Sequence, residues 1–128
     1  MQMLVVLLLA ALTGGPAGAP NDFRRAFADA EVNVHTNEGA AYDVIVGREF
    51  GDTRGSSVGT CVDREAQSGP IEPFDLLMRI GREGDVESVL VYPRTKVAHC
   101  LALAAAHDRH SRPPRAHYWV RVHMAFTN

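Results

Sequence analysis

Residues 74–92 read FDLLMRIGREGDVESVLVY, and the period of this stretch decides the fold. Phe74, Leu76, Met78 and Ile80 alternate with Asp75, Leu77 and Arg79, the repeat of two that marks a half-buried strand. Gly81-Arg82-Glu83-Gly84 supplies a turn, and Val86 to Tyr92 returns with Val89 and Val91, so the stretch predicts a β-hairpin. Val86 and Val89 lie three positions apart, and strict alternation cannot turn both inward. A bulge near Glu87 and Ser88 is the expected remedy. Pro93 closes the returning strand.

Working outward toward the C-terminus, Thr95 caps a helix expected from Lys96 to about His110, with Val97, Cys100, Leu101 and Ala104 toward the core and Pro113-Pro114 stopping it. A final strand follows from His117 to Phe126. Tyr118, Val120, Val122, Met124 and Phe126 share one face, and Trp119, Arg121, His123 and Ala125 share the other. Toward the N-terminus, Tyr42, Ile45, Val46 and Phe50 predict a helix over 40–50 that Gly51 ends. Asp52 or Thr53 then caps a second helix to about Ala66, carrying Val58, Cys61, Val62 and Glu65 along one side, weakened by Gly55 and Gly59 and ended by Gly69-Pro70. Pro20 to Gly39 is polar and weakly periodic. Only Asp22 to Phe27 hints at a short helix there, so residues 20–39 are expected as a mobile arm. The order helix, hairpin, helix, strand predicts an α+β domain. Its simplest form is a three-stranded antiparallel sheet with the helices on one face, which places Cys61 and Cys100 over that same face.

The chain has 128 residues, enough for one domain, and 13 Lys+Arg against 15 Asp+Glu give a formal charge of -2. That balance argues against a nucleic-acid coat or a polybasic membrane binder. Met3 to Leu12 is an uninterrupted apolar run followed by Thr13-Gly14-Gly15-Pro16 and Ala17-Gly18-Ala19, the pattern of a secretory signal peptide over residues 1–19. Cleavage after Ala19 leaves Pro20 first, which makes cleavage after Ala17 the alternative. No Cys stands near the site to carry a lipid, so a periplasmic or secreted domain over residues 40–128 is expected. In an exported chain the two cysteines, Cys61 and Cys100, read first as a disulfide, worth roughly 4 kcal/mol for a loop of this length in the chain-entropy model. Two buried thiols are the alternative. Neither Cys has a second Cys or a His at the short spacing of structural zinc.

The run from Gly84 to Val91, the capped Ala/Leu-rich helix, Arg112-Pro113-Pro114 and the alternating strand from Tyr118 to Phe126 together resemble the C-terminal domain of TonB-like energy transducers, over about residues 71–126. The resemblance implies a last strand with an exposed edge that pairs with a peptide. It does not imply transduction, because such transducers carry a long Pro-rich spacer that this sequence lacks and fold alone does not carry function.

Six histidines raise a metal reading. His107 and His110 lie three apart and could share an ion with His117 or His123, which would make a small metal-dependent hydrolase the runner-up function. The sequence holds no His-Glu-x-x-His and no Gly-x-Ser-x-Gly. The carboxylate pairs Asp63 with Glu65 and Glu83 with Asp85 sit at apparently solvated positions. The preferred reading is a non-catalytic, exported binding domain without cofactor or metal, whose protein or peptide partner adds a strand to the last edge. Trp119 would be its aromatic anchor, Arg121 the contact to carboxylate or carbonyl, and His123 a pH-sensitive rim residue; the alternatives are that the N-terminal arm or first helix covers this face, or that the strand edge pairs with a second copy.

Overall fold

A computed structural model describes residues 15–65 and 70–126. The elements are α1 (Asn21–Val34), α2 (Asn37–Glu65), β1 (Phe74–Ile80), β2 (Val86–Tyr92), α3 (Lys96–Ala105) and β3 (Tyr118–Met124). The strands form one antiparallel sheet in the order β2-β1-β3. Arg79 pairs with Ser88 and Ile80 with Val86, so Glu87 is the extra residue of a bulge, and Val86 and Val89 both reach the core face.

The sheet face carrying Leu76, Met78, Ile80, Tyr118 and Val120 packs against α2 and α3, as the alternation requires. Tyr42, Val46 and Phe50 come from α2 at spacings of four, and Val97, Ala98, Leu101 and Ala105 from α3. Ile45 falls outside that stripe and is exposed. Cys61 and Cys100 stand at disulfide distance, with Cα atoms 5.8 Å apart, between the two helices.

Three expectations are corrected. The segment 20–39 is not a mobile arm: α1 occupies most of it and lies on the opposite face of the sheet from α2 and α3. Phe23, Ala26 and Ala19 bury Leu77 there, with Phe27, Leu90, Tyr92 and Trp119 around them. Phe23, Ala26, Phe27 and Ala30 recur at three- and four-residue steps, an amphipathic stripe long enough to cover one sheet face. Next, residues 37–65 form one helix without a break at Gly51. Glycine lowers helix propensity by about 1 kcal/mol without forbidding helical dihedrals, and the buried stripe from Tyr42 through Phe50 to Cys61 decides the matter by packing. A tight turn separates this helix from α1. Thr36 Oγ1 caps it by accepting from the Gly39 N–H at 2.9 Å, and a Cβ at Gly39 would lie 1.7 Å from the Asn33 carbonyl oxygen.

Finally, α3 stops at Ala105 and not near His110, because the following residues pair with the hairpin tip. Val86 N–H donates to the Asp108 carbonyl at 3.2 Å, and His110 N–H donates to the Gly84 carbonyl at 2.8 Å. Gly84 has φ +93, and a Cβ there would lie 1.9 Å from the His110 oxygen, so no other residue fits this crossing. The apolar run Met3 to Leu12 and the helix end expected at Ala66 and Gly69 lie outside the described residues. Among the described residues no helix is long and apolar enough to cross a membrane.

Intact-mass analysis after alkylation without reductant should show no modified thiol, and two modified thiols would refute the Cys61–Cys100 bond. Gly51 and Gly55 meet nothing within 4 Å of an added Cβ. Replacing either by Ala should therefore stabilise the protein by about 1 kcal/mol in denaturant unfolding, whereas Gly84→Ala should lower the thermal midpoint.

Candidate functional site

The register places Trp119 opposite Arg79, Arg121 opposite Leu77 and His123 opposite Asp75, all on the α1 side of the sheet. Their surroundings differ. Trp119 packs half-buried against the α1 cluster, with the Arg79 guanidinium 5.8 Å from its ring centroid. Its carbonyl accepts from Asn33 Nδ2 at 3.0 Å, while Asn33 Oδ1 accepts from Arg115. Asn33 is thereby satisfied although buried, and it seals this part of the β3 edge. Trp119 is thus tied into the packing of α1, Arg121 is likewise half-buried, and His123 is the exposed member of the trio.

Arg121 is held by three partners. Its Nε donates to Asp75 Oδ1 at 2.8 Å, Nη1 lies 3.4 Å from Glu31 Oε1, and the guanidinium stacks 4.7 Å from the Phe27 ring centroid. His123 Nδ1 lies 2.8 Å from the same Asp75 oxygen, with its side chain about half exposed. Beside them a cleft of about 140 Å³ opens, lined by Ala30, Glu31, Val34, Asp43, Arg121 and His123. With Asp75 behind it, this region sets three carboxylates against one guanidinium. Burial raises the Asp43 carboxyl above its ordinary value and Glu31 raises it further, with Arg121 opposing both. A cation placed between Glu31 and Asp43 would relieve that strain. Antiparallel alternation turns the backbone groups of Arg121 and His123 to the same outer edge as the Trp119 carbonyl.

The remaining histidines go elsewhere. His110 is buried with Nδ1 3.2 Å from Glu49 Oε1, and His117 Nδ1 lies 2.7 Å from Glu87 Oε1. Among the described residues no three His, Cys, Asp or Glu side chains come together to hold a metal ion. Glu49 is the hub of a latch from α2 to the segment after α3. It also accepts from Ser111 Oγ at 2.6 Å and from the Ser111 N–H, Tyr42 Oη donates to the Ser111 carbonyl at 2.7 Å, and Arg54 Nε lies 3.0 Å from Asp108 Oδ2. Burial pushes the Glu49 carboxyl up, but the Ser111 and His110 hydrogen bonds together outweigh it and hold the group below its ordinary value.

Sequence reasoning missed Glu31, Asp43 and Asn33, since all depend on α1 docking and the turn that follows it. Asp75 is the one carboxylate of the strand FDLLMRI, whose other charge is Arg79. Comparison of the chain with protein-family models, curated proteins and solved structures finds no match.

The two shifted carboxyls should act on stability with opposite signs. Glu49, lowered in the folded state, stabilises above the unfolded carboxylate value and loses that effect as pH falls toward its folded value. Glu49→Gln should cost about 1 kcal/mol at pH 7, shrinking on acidification. Asp43, raised in the folded state, disfavours folding once ionised. Asp43→Asn should therefore raise stability at pH 7 by roughly 0.5 kcal/mol or less, the cleft being open to solvent. That gain should vanish below the ordinary carboxylate range in denaturant titrations across pH.

Proposed function

We propose that this protein is an exported, non-catalytic domain that binds an extended segment of a protein or peptide partner along the outer edge of β3. The observation that carries this reading is the acidic cleft beside Arg121 and His123. There, two carboxylates, Glu31 and Asp43, line the cleft with Arg121 and His123, whose backbone groups the alternation from the Trp119 carbonyl turns to the outer edge. The partner's main chain would pair with the edge at Arg121 and His123, which gives the less specific part of the affinity. A Lys or Arg of that partner would enter between Glu31 and Asp43, which gives the selectivity. Asp75 and Phe27 hold the Arg121 guanidinium in place, so little side-chain freedom is lost on binding. The resemblance to TonB C-terminal domains, in which a last edge pairs with a peptide, agrees with this use of β3.

Export rests on the apolar run at residues 3–12. Cleavage after Ala17 suits the fold better than cleavage after Ala19, because Ala19 is buried in the α1 cluster and only the first of the two keeps it. N-terminal sequencing of the mature protein should begin at Gly18.

The binding reading is tested by titrating the labelled protein with a lysine-bearing peptide of roughly five to eight residues, the length of an ordinary strand. Amide shifts should concentrate at Arg121 and His123. Glu31→Gln with Asp43→Asn should weaken binding about tenfold, the equivalent of about 1.4 kcal/mol, without lowering the thermal midpoint. Absence of binding at millimolar peptide, or shifts centred on another surface, would overturn the proposal.

A further inference from the structure

A second, larger groove of about 450 Å³ opens between the end of α2 and the start of α3, far from the cleft beside β3. Asp43 and Arg64 are separated by about 30 Å along α2 at 1.5 Å per residue. The groove follows from local structure. After Tyr92 and Pro93 the chain passes through Arg94 to Thr95, whose Oγ1 caps α3 by accepting from the Ala98 N–H at 3.1 Å. Lys96, His99 and Leu103 then fall at helical spacings of three and four on the outer side of α3. The opposite wall carries Arg64, one turn beyond Cys61, and the Cys61–Cys100 pair ties the two walls together.

The groove therefore gathers Arg64, Arg94, Lys96 and His99 around one carboxylate, Glu65, in a chain whose formal charge is -2. Arg94, Lys96 and His99 are exposed and make no ion pair among the described residues. The positive end of the α3 dipole adds to their potential. Leu103, 62 % exposed, supplies an apolar patch at one end. The basic groups are spread over α2, the connecting loop and α3. Charges set out in that way suit anions spaced along a chain better than one small oxyanion, for which donors converge on a point. Four basic groups on an acidic protein give a weak footprint for nucleic acid, and Leu103 has no use there.

We propose that this groove docks an acidic peptide segment of a protein partner, with its carboxylates on Arg94 and Lys96 and an apolar side chain on Leu103. The site is independent of the β3 edge, so either surface can fail its test without affecting the other. Electrostatic complementarity of this exposed kind speeds encounter and weakens steeply with salt.

The experiment measures fluorescence anisotropy of a labelled pentapeptide, four glutamates flanking a central leucine, against the full mature protein at low ionic strength. Saturable binding should weaken at least tenfold in the double variant Arg94→Glu, Lys96→Glu. It should change little in Arg48→Glu, Arg82→Glu, which alters net charge equally at exposed positions elsewhere. Leu103→Ser should weaken it about threefold. Circular dichroism should show both charge variants folded, since the substituted groups are exposed. Equal loss in the two double variants would reduce the effect to net charge and overturn the proposal, as would no saturable binding up to millimolar protein. Inorganic phosphate that displaces the peptide at equal concentration would assign the groove to a simple oxyanion. Concentration-dependent dimerisation in sedimentation, abolished by Arg94→Glu, Lys96→Glu, would assign it to a second copy of this chain. Either result overturns the acidic-peptide assignment.

Discussion

The middle strand has apolar groups on both of its faces, and the rest of the molecule answers that constraint. Leu76 and Leu77 are neighbours in sequence, point to opposite sides of the sheet, and are both fully buried. One layer of helices can cover only one of them. Burying a leucine stabilises by about 1.5–3 kcal/mol relative to leaving it exposed, so an uncovered Leu77, beside Leu90 and Trp119, would cost a large share of a small domain's stability. The N-terminal helix supplies the second layer, and its docking in turn creates the cleft with Glu31 and the seal made by Asn33. The candidate site is in this sense a by-product of how the sheet's second face is closed.

Much of the sheet was legible because its signals are local. The hairpin, its bulge at Glu87, the inward set on β3 and the cap at Thr95 all follow from a period, a turn or a side-chain type within a few residues. What was not legible depended on contacts distant in sequence. Gly51 looks like a helix end when its neighbours alone are weighed, and only the shared burial of Phe50 and Cys61 against the sheet carries the helix through it. The stop of α3 at Ala105 depends on the tip around Gly84, which residues 108–110 must meet. For the site, Arg121 and His123 were marked by composition and face, but the same reasoning could not tell them from Trp119. Whether an aromatic on a strand face is anchor or packing is decided by the element laid over it. The signal for that element was present: Leu77 breaks the polar side of the alternation, and Phe23, Ala26, Phe27 and Ala30 keep helical spacing in a stretch that looks polar on average.

Charge is distributed by the same logic. Where guanidinium groups meet the sheet or the latch they are matched: Arg121 with Asp75 and Glu31, Arg79 with Glu87, Arg54 with Asp108. Each guanidinium stays partly exposed even where its carboxylate, as at Asp108 and Asp75, is buried, so the net contribution of these pairs to stability is modest and their role is to fix one side-chain arrangement where several would compete. Arg94, Lys96 and His99 at the start of α3 stand outside these pairs and are exposed, as are Arg48 and Arg82 elsewhere on the surface.

Both ends of the described chain meet the same end of the sheet, one on each of its faces. The backbone at Gly18 comes up against the Tyr92 hydroxyl, and Phe126 stacks on Phe74 with ring centroids 6.0 Å apart, while Tyr92 and Phe74 both belong to the same end of the sheet. Polypeptide therefore enters and leaves the domain at one pole, and the hairpin tip at Gly84 occupies the other. A domain with that geometry can be spliced into a host loop, or have its old ends joined and new ones opened at the Arg82–Glu83 tip, without any strand having to change partners.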